Sequence, residues 1–154
     1  MDSQKEISEL KDLVKYYEMV IKNMSAPIIP SIVPKTILIP IAGIISAERF
    51  ELIRTKALQY AGDHRETECV IFDFTGVQSE DIQTFDYNEL ASELTALNST
   101  LKMMGLRSIY VGFNPRFVRE IVHAGIQVKL EVYQNFRAAL KEILDEKKEV
   151  LSSR

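Results

Sequence analysis

From Thr36 to the C-terminus, short apolar runs alternate with longer segments in which apolar residues recur at helical spacing. The run CVIFDF at residues 69–74 is almost entirely apolar, as in a central strand covered on both faces. Strands that alternate with helices favour an α/β domain with a mixed, largely parallel sheet. Ser46 is a suitable N-cap for the first helix. The pattern predicts strands at residues 36–41, 69–74, 108–113 and 128–133, and helices at residues 46–62, from 79–84 to 104, at 115–125 and from 136 to about 144.

Three prolines lie at the start of this domain, at positions 27, 30 and 34. Proline ends a preceding helix and holds the backbone extended. We expect a stiff connector that becomes an edge strand around residues 28–33, because an edge strand tolerates proline. The 154 residues then divide into a helical connector at 1–24, one domain at 25–147 and a charged tail at 148–154.

The helical connector at residues 1–24 is predicted to be amphipathic. Its apolar residues follow a 3-4 spacing over nearly three heptads, which is the a/d seam of a coiled coil. Leu13 and Val20 widen the apolar stripe, so packing of this helix against its own domain is the alternative to a dimer seam. A two-stranded coil this short is marginal alone and would add to another dimer contact. The seam consists of Ile7, Leu10, Val14, Tyr17, Ile21 and Met24.

Composition limits the chemistry that the chain can perform. The net charge of −3 provides no basic excess for nucleic acid, and the longest apolar run, at residues 37–45, is too short to span a membrane. The single cysteine, Cys69, suits a reducing cytoplasm and has no metal-ligand spacing with either histidine, His64 or His123. Neither Gly-rich phosphate-binding motif occurs. We therefore expect no catalytic residues, metal or cofactor, and no nucleic-acid or membrane partner.

Asp73 is an acidic residue inside the most apolar run of the chain. A buried carboxylate is costly unless it is hydrogen-bonded, so Asp73 is expected at a strand end, where it caps a loop. Thr75 follows it, and sites in open α/β sheets form at the carboxyl ends of strands. A hydroxyl close to the next helix N-terminus also suits a phosphate group. Residues 73–77 are therefore the candidate site.

Three segments taken together resemble the STAS domain, and within it the RsbR-type branch of bacterial stress-signalling complexes, the stressosomes. They are FDFTGV at 72–77, IYVGFNP at 109–115 and IVHAG at 121–125, and residues 26–30 resemble the linker that precedes the domain in that branch. The resemblance covers residues 26–146 and implies a STAS-like fold. The N-terminal helix resembles the connector that joins a sensor domain to STAS, so we expect no sensor in this chain.

The resemblance implies binding rather than catalysis. STAS proteins of this type assemble with related STAS proteins and hold or release a switch Ser/Thr kinase, which phosphorylates them and ultimately controls a sigma factor. We expect a cytoplasmic, non-enzymatic scaffold or modulator of a sigma-B-type complex, as a homodimer or larger assembly. The alternatives are an anti-sigma-factor antagonist switched by phosphorylation, and a small α/β enzyme or a nucleotide- or anion-binding STAS module that uses Asp73, Thr75 and Asp81.

The resemblance also implies a first phospho-acceptor, which follows an Asp at the start of a helix. Counting forward from residues 75–77 places that Asp at Asp81 and the acceptor at Ile82, which cannot be phosphorylated. Counting back from Gly105 places the acceptor at residues 87–88 instead. Both alignments put a residue other than Ser or Thr at this position, so we expect weak or no phosphorylation.

The best candidate acceptors are then the hydroxyls of Thr84, which lies between the two alignments, and Thr75. The second acceptor position of RsbR-like proteins holds Glu120, whose carboxylate either imitates a phosphate charge or is an ordinary exposed helix residue. The partner surface is expected to consist of Asp73, Gly76, Asp81, Arg116 and Arg119.

Overall fold

Five strands form one mixed sheet whose spatial order follows their order along the chain. The protein is described here by a computed structural model, which covers residues 2–24, 27–78, 82, 86–123, 125 and 129–152. The strands are β1 (Ile29–Pro30), β2 (Thr36–Ala42), β3 (Cys69–Gly76), β4 (Arg107–Val111) and β5 (Glu131–Tyr133).

β1 pairs antiparallel with β2, and the three remaining pairs are parallel. β1 is an edge strand that contains Pro30, as predicted, but it is two residues long instead of six. Proline has no N–H to donate, so a strand rich in proline pairs only briefly. The sheet therefore has a short proline-bearing edge at β1 and a three-residue edge at β5.

Four helices follow the strands in the predicted alternating order, and a fifth precedes them. Ser46 is the N-cap of α2, and its hydroxyl accepts a hydrogen bond from the backbone N–H of Arg49 at 3.1 Å. No helix of the described residues is both long enough and apolar enough to cross a membrane. The helices are α1 (Asp2–Met24), α2 (Ala47–Asp63), α3 (Tyr87–Met103), α4 (Pro115–His123) and α5 (Phe136–Ser152).

Two helix boundaries differ from the prediction by three residues or more. α3 begins at Tyr87, later than the predicted start at 79–84, because Asp86 is its N-cap and accepts from the backbone N–H of Glu89 at 2.7 Å. α5 continues to Ser152, so residues 148–152, which were expected in a charged tail, are helical. Lys, Glu and Leu are good helix formers, which explains this extension.

The sheet is covered unequally on its two faces. Alternate residues of β3 enter separate cores, as predicted for a strand buried on both sides. Val70 and Phe72 pack in the larger core with α2, α3 and Phe117 of α4, whereas Cys69 and Ile71 pack in a smaller core. α5 covers this smaller core with Ala139, Leu140 and Ile143.

α1 does not pack on the domain over the residues whose side chains are described. Residues 2–17 are all exposed, and the seam residues Leu10 and Tyr17 are 60% and 55% exposed. Over this range the alternative of packing against the chain's own domain is wrong. The side chains of Ile21 and Met24 lie outside the part of the chain that the structure describes.

Candidate functional site at the carboxyl end of the sheet

Asp73 and Thr75 form a closed hydrogen-bonded unit where β3 ends. One carboxylate oxygen of Asp73, Oδ1, accepts from the backbone N–H of Thr75 at 2.9 Å and from its hydroxyl at 2.5 Å. Asp73 is half-buried and Thr75 is exposed. The carboxylate therefore caps its own strand end, as predicted, and fixes the orientation of an exposed threonine hydroxyl.

Gly112 lies directly over this unit, at the end of the neighbouring strand β4. Its φ of +76° is in the left-handed region, which favours glycine. A Cβ atom at this position would lie 2.7 Å from the backbone nitrogen of Thr75 and 2.8 Å from Oδ1 of Asp73, and would overlap the Thr75 hydroxyl. Only glycine lets the β4 backbone approach the Asp73–Thr75 unit so closely.

Gly112 was not predicted as a site residue, although it belongs to one of the segments that resemble STAS. Its positive φ also explains why β4 ends at Val111 and not at the predicted residue 113. The signal available in the sequence was a glycine at the end of an apolar run, which often marks a close backbone approach.

Gly76 has a structural role at the same edge of the sheet. A Cβ atom there would lie 2.7 Å from the Cβ of Ala42, and the Gly76 carbonyl accepts from the backbone N–H of Gly43 at 3.2 Å. Gly76 is also exposed, as a partner-surface residue must be. Its missing side chain keeps the ends of β2 and β3 together beside the Asp73–Thr75 unit.

Ile82 anchors the β3–α3 connection to the core. It forms an isolated parallel bridge with Ile45, is half-buried and packs against the larger core. With Ile45, Phe74 and Leu90 it lines a small apolar cavity. Position 82 therefore holds a packing residue, while Asp81 and Thr84 lie outside the described residues.

α4 begins at the same edge, immediately after β4. The side-chain oxygen of Asn114 accepts from the backbone N–H of Arg116 at 2.8 Å and caps the first turn. Arg116, Arg119 and Glu120 are all exposed on this helix. The structure thus brings Asp73, Thr75, Gly76 and Gly112 together and places the three α4 residues progressively further along an adjacent helix.

The remaining nucleophilic and ligating side chains lie away from this site. Burial raises the pKa of the Cys69 thiol to about 12, so it stays protonated near neutral pH. His64 stacks on the Tyr60 ring, with centroids 3.9 Å apart, and His123 is exposed. Among the described residues, no group of three His, Cys, Asp or Glu side chains is arranged to hold a metal ion.

No family model and no curated protein matches the chain. Solved structures match it at low sequence identity. A substituted form of RsbS from Moorella thermoacetica has a TM-score of 0.61 and 12% identity, over 80% of this chain and 97% of that one. A structure of the molecular architecture of the stressosome, described as a signal integration and transduction hub, has a TM-score of 0.52 and 13% identity, over 79% and 98%.

This chain has the STAS fold. The predicted fold class is confirmed by the sheet order, the alternating helices and the likeness to RsbS and the stressosome protein. The same fold matches 17% of a much longer chain, the murine Slc26a9 anion transporter in its inward-facing state, with a TM-score of 0.54 and 18% identity over 70% of this chain. Identities of 12–18% show the fold alone.

Proposed function

We propose that this chain is a non-catalytic STAS scaffold or modulator in a bacterial stress-signalling complex. It binds related STAS proteins and a switch Ser/Thr kinase in the cytoplasm. The observation that carries this proposal is the STAS fold shared with RsbS and a stressosome protein. The protonated, buried Cys69 and the Asp73 carboxylate that is engaged by Thr75 support a role in binding rather than in turnover.

The partner surface is the carboxyl end of the sheet together with the start of α4. Exposed Thr75 and Gly76 supply its centre, and the exposed cation Arg116 lies at its border. A charge reversal at such a border weakens association mainly through like-charge repulsion. The surface can therefore be tested by changing Arg116 without altering the core.

In a pull-down, the wild-type chain should retain a purified RsbS-type STAS protein and a switch kinase. Arg116→Glu should reduce retention by about tenfold, because it reverses the charge at the border of the surface. The matched control is Arg137→Glu, at an exposed arginine of α5. Equal retention by both variants would contradict the proposed surface, and failure of the wild type to retain either protein would contradict the proposed function.

The residues at the first phospho-acceptor position support the proposal that this protein is phosphorylated weakly or not at all. Ile82 is occupied in packing, and Tyr87 follows the helix-capping Asp86 at the structural start of α3. Tyr87 contacts the Phe117 ring, with centroids 5.6 Å apart. Neither alignment therefore offers a Ser or Thr acceptor, which leaves Thr84 and Thr75.

Mass spectrometry after treatment with a switch kinase tests this point. We expect at most substoichiometric phosphate on Thr84 and Thr75, and Thr84→Ala and Thr75→Ala variants identify any modified site. Stoichiometric phosphate on either residue would favour the alternative function, an anti-sigma-factor antagonist switched by phosphorylation. In that case Thr84→Glu or Thr75→Glu should abolish binding to an anti-sigma kinase.

α1 is proposed as the dimerisation element. Its described seam residues are exposed. β-Branched Ile7 and Val14 occupy heptad position a and Leu10 occupies position d, a combination that favours a parallel two-stranded coiled coil. In that arrangement Glu6 at g faces Lys11 at e of the second helix, which pairs opposite charges.

A further inference from the structure

An apolar groove lies between α3, α4 and β5. It has a volume of about 220 Å³ and is open to solvent. Three of its valines are well exposed: Val118 at 45%, Val122 at 70% and Val132 at 46%. A contiguous exposed apolar patch with a polar rim is a feature of protein–protein interaction sites.

The walls of the groove are apolar throughout. Leu94 of α3, Phe117 and Ile121 of α4, Phe113 and Leu130 complete them, and among the described residues no charged or polar side chain lines the groove. A small-molecule site usually adds a few polar groups that orient the ligand. The lining therefore fits apolar side chains of a protein partner better than a metabolite.

Cations flank these walls. Arg119 follows Val118 on α4, and Lys129 precedes Leu130; both are exposed, and neither forms an ion pair within the described part of the chain. Glu120 is the one carboxylate on α4. Glu131, between Leu130 and Val132, is held by Arg107. The border is thus locally basic in a chain whose net charge is −3.

We propose that this groove binds an amphipathic helix of a partner protein whose apolar face enters the groove and whose flanks are acidic. Such a helix matches both the apolar walls and the basic border. A second copy of this chain fits less well, since α1 and α5, which expose apolar residues outside the groove, carry mixed charges. β5 is only three residues long, too short an edge to template a strand.

Two fluorescent amphipathic peptides of roughly 20 residues test the proposal, because helices of this length can form in water. They share one Leu/Ala face and differ only in their flanks, which are Glu in one peptide and Lys in the other. Titrated with the full chain, the Glu-flanked peptide should bind about tenfold more tightly, and the difference should shrink as salt is raised.

Two variants locate the site. Val122→Glu should weaken binding of the Glu-flanked peptide by about tenfold, because it places a charge in the apolar wall of the groove. Val150→Glu, at a valine of α5 that is 56% exposed, is the matched control and should leave affinity within about twofold. Lys129→Glu should reduce the preference for Glu flanks over Lys flanks by several-fold.

Three results would overturn the proposal. They are equal binding of the two peptides, equal affinity of Val122→Glu and Val150→Glu, and a Val122→Glu variant whose own oligomeric mass falls in light scattering. The last result would assign the groove to a second copy of this chain. Circular dichroism of each variant confirms that it is folded before binding is compared.

Discussion

At the scale of single residues, the candidate site depends on the close approach of the backbone at Gly112 to Asp73 and Thr75. Asp73 accepts two hydrogen bonds from Thr75, and Gly112 of the neighbouring strand lies directly over both. The unit holds an exposed hydroxyl in one orientation through a carboxylate that is itself half-buried. Because Gly112 fits there only without a side chain, this glycine is the most sensitive position of the site.

Gly112→Ala should destabilise the protein more than Gly105→Ala. Both glycines have positive φ, +76° and +82°, so each substitution costs about 1–2 kcal/mol for the left-handed backbone. A methyl group at Gly105 meets no atom within 4 Å, whereas at Gly112 it overlaps Thr75, which adds about 1–3 kcal/mol. Urea unfolding of both variants measures the difference, and equal losses would show that the site relaxes around the methyl group.

At the scale of elements, α1 differs from the rest of the chain. The other helices bury residues against the sheet, whereas the described side chains of α1 are exposed along residues 2–17. An isolated helix of this kind has little intrinsic stability in water, so its apolar stripe is best explained by a partner helix. The heptad spacing makes a second copy of α1 the expected partner.

The double variant Leu10→Asp with Tyr17→Asp should lower the oligomeric mass, because both d positions would bury a charge. Ser8→Asp with Lys15→Asp is the control, since both residues occupy b positions on the outer side of the same helix. Light scattering of the full chain compares the two. An unchanged mass in the d-position variant, or an equal fall in both variants, would refute the coiled-coil seam.

At the scale of the whole molecule, one cation joins three elements at the end of the sheet opposite the candidate site. The Arg107 guanidinium of β4 donates to Glu131 of β5 at 2.7 Å from Nε and to Glu146 of α5 at 2.7 Å. Tyr133 also donates to Glu131, at 2.8 Å. This cluster ties the C-terminal helix to the sheet beside the smaller core that α5 covers.

The cluster should make stability sensitive to acid. Burial acts to raise the pKa of Glu131, but hydrogen bonds from Arg107 and Tyr133 outweigh it and hold the pKa below its ordinary value. A carboxyl whose pKa is lower in the folded than in the unfolded state stabilises the protein at pH values above its unfolded-state pKa. This contribution is lost as the pH falls through the folded-state pKa.

Glu131→Gln should therefore flatten the loss of unfolding free energy between pH 7 and about pH 3, relative to wild type. Glu66→Gln, at an exposed glutamate, is the control and should follow the wild-type curve. Urea unfolding at several pH values gives these curves. A Glu131→Gln curve as steep as that of wild type would show that the cluster does not contribute to the pH dependence.

The amino-acid sequence determined the features that are encoded locally. The alternation of apolar runs with helical spacing predicted the order of strands and helices after residue 36, and the apolar run around Ile71 predicted a strand buried on both faces. Ser46 and Asp73 were predicted as caps because their side chains bond to backbone only two or three residues away. Such contacts depend on short segments, so a single sequence is sufficient to predict them.

The tertiary structure decided the features that join residues distant in sequence. Gly112 meets Thr75 across 37 positions, Arg107 meets Glu146 across 39, and the groove combines α3, α4 and β5. The start of α3 at Tyr87 could not be predicted from the sequence, since both Asp81 and Asp86 are suitable N-caps. In the structure Ile82 packs against the core, and Asp86 is the residue that caps the helix. Periodicity specifies which face of an element is apolar, but only packing decides which residues meet across those faces.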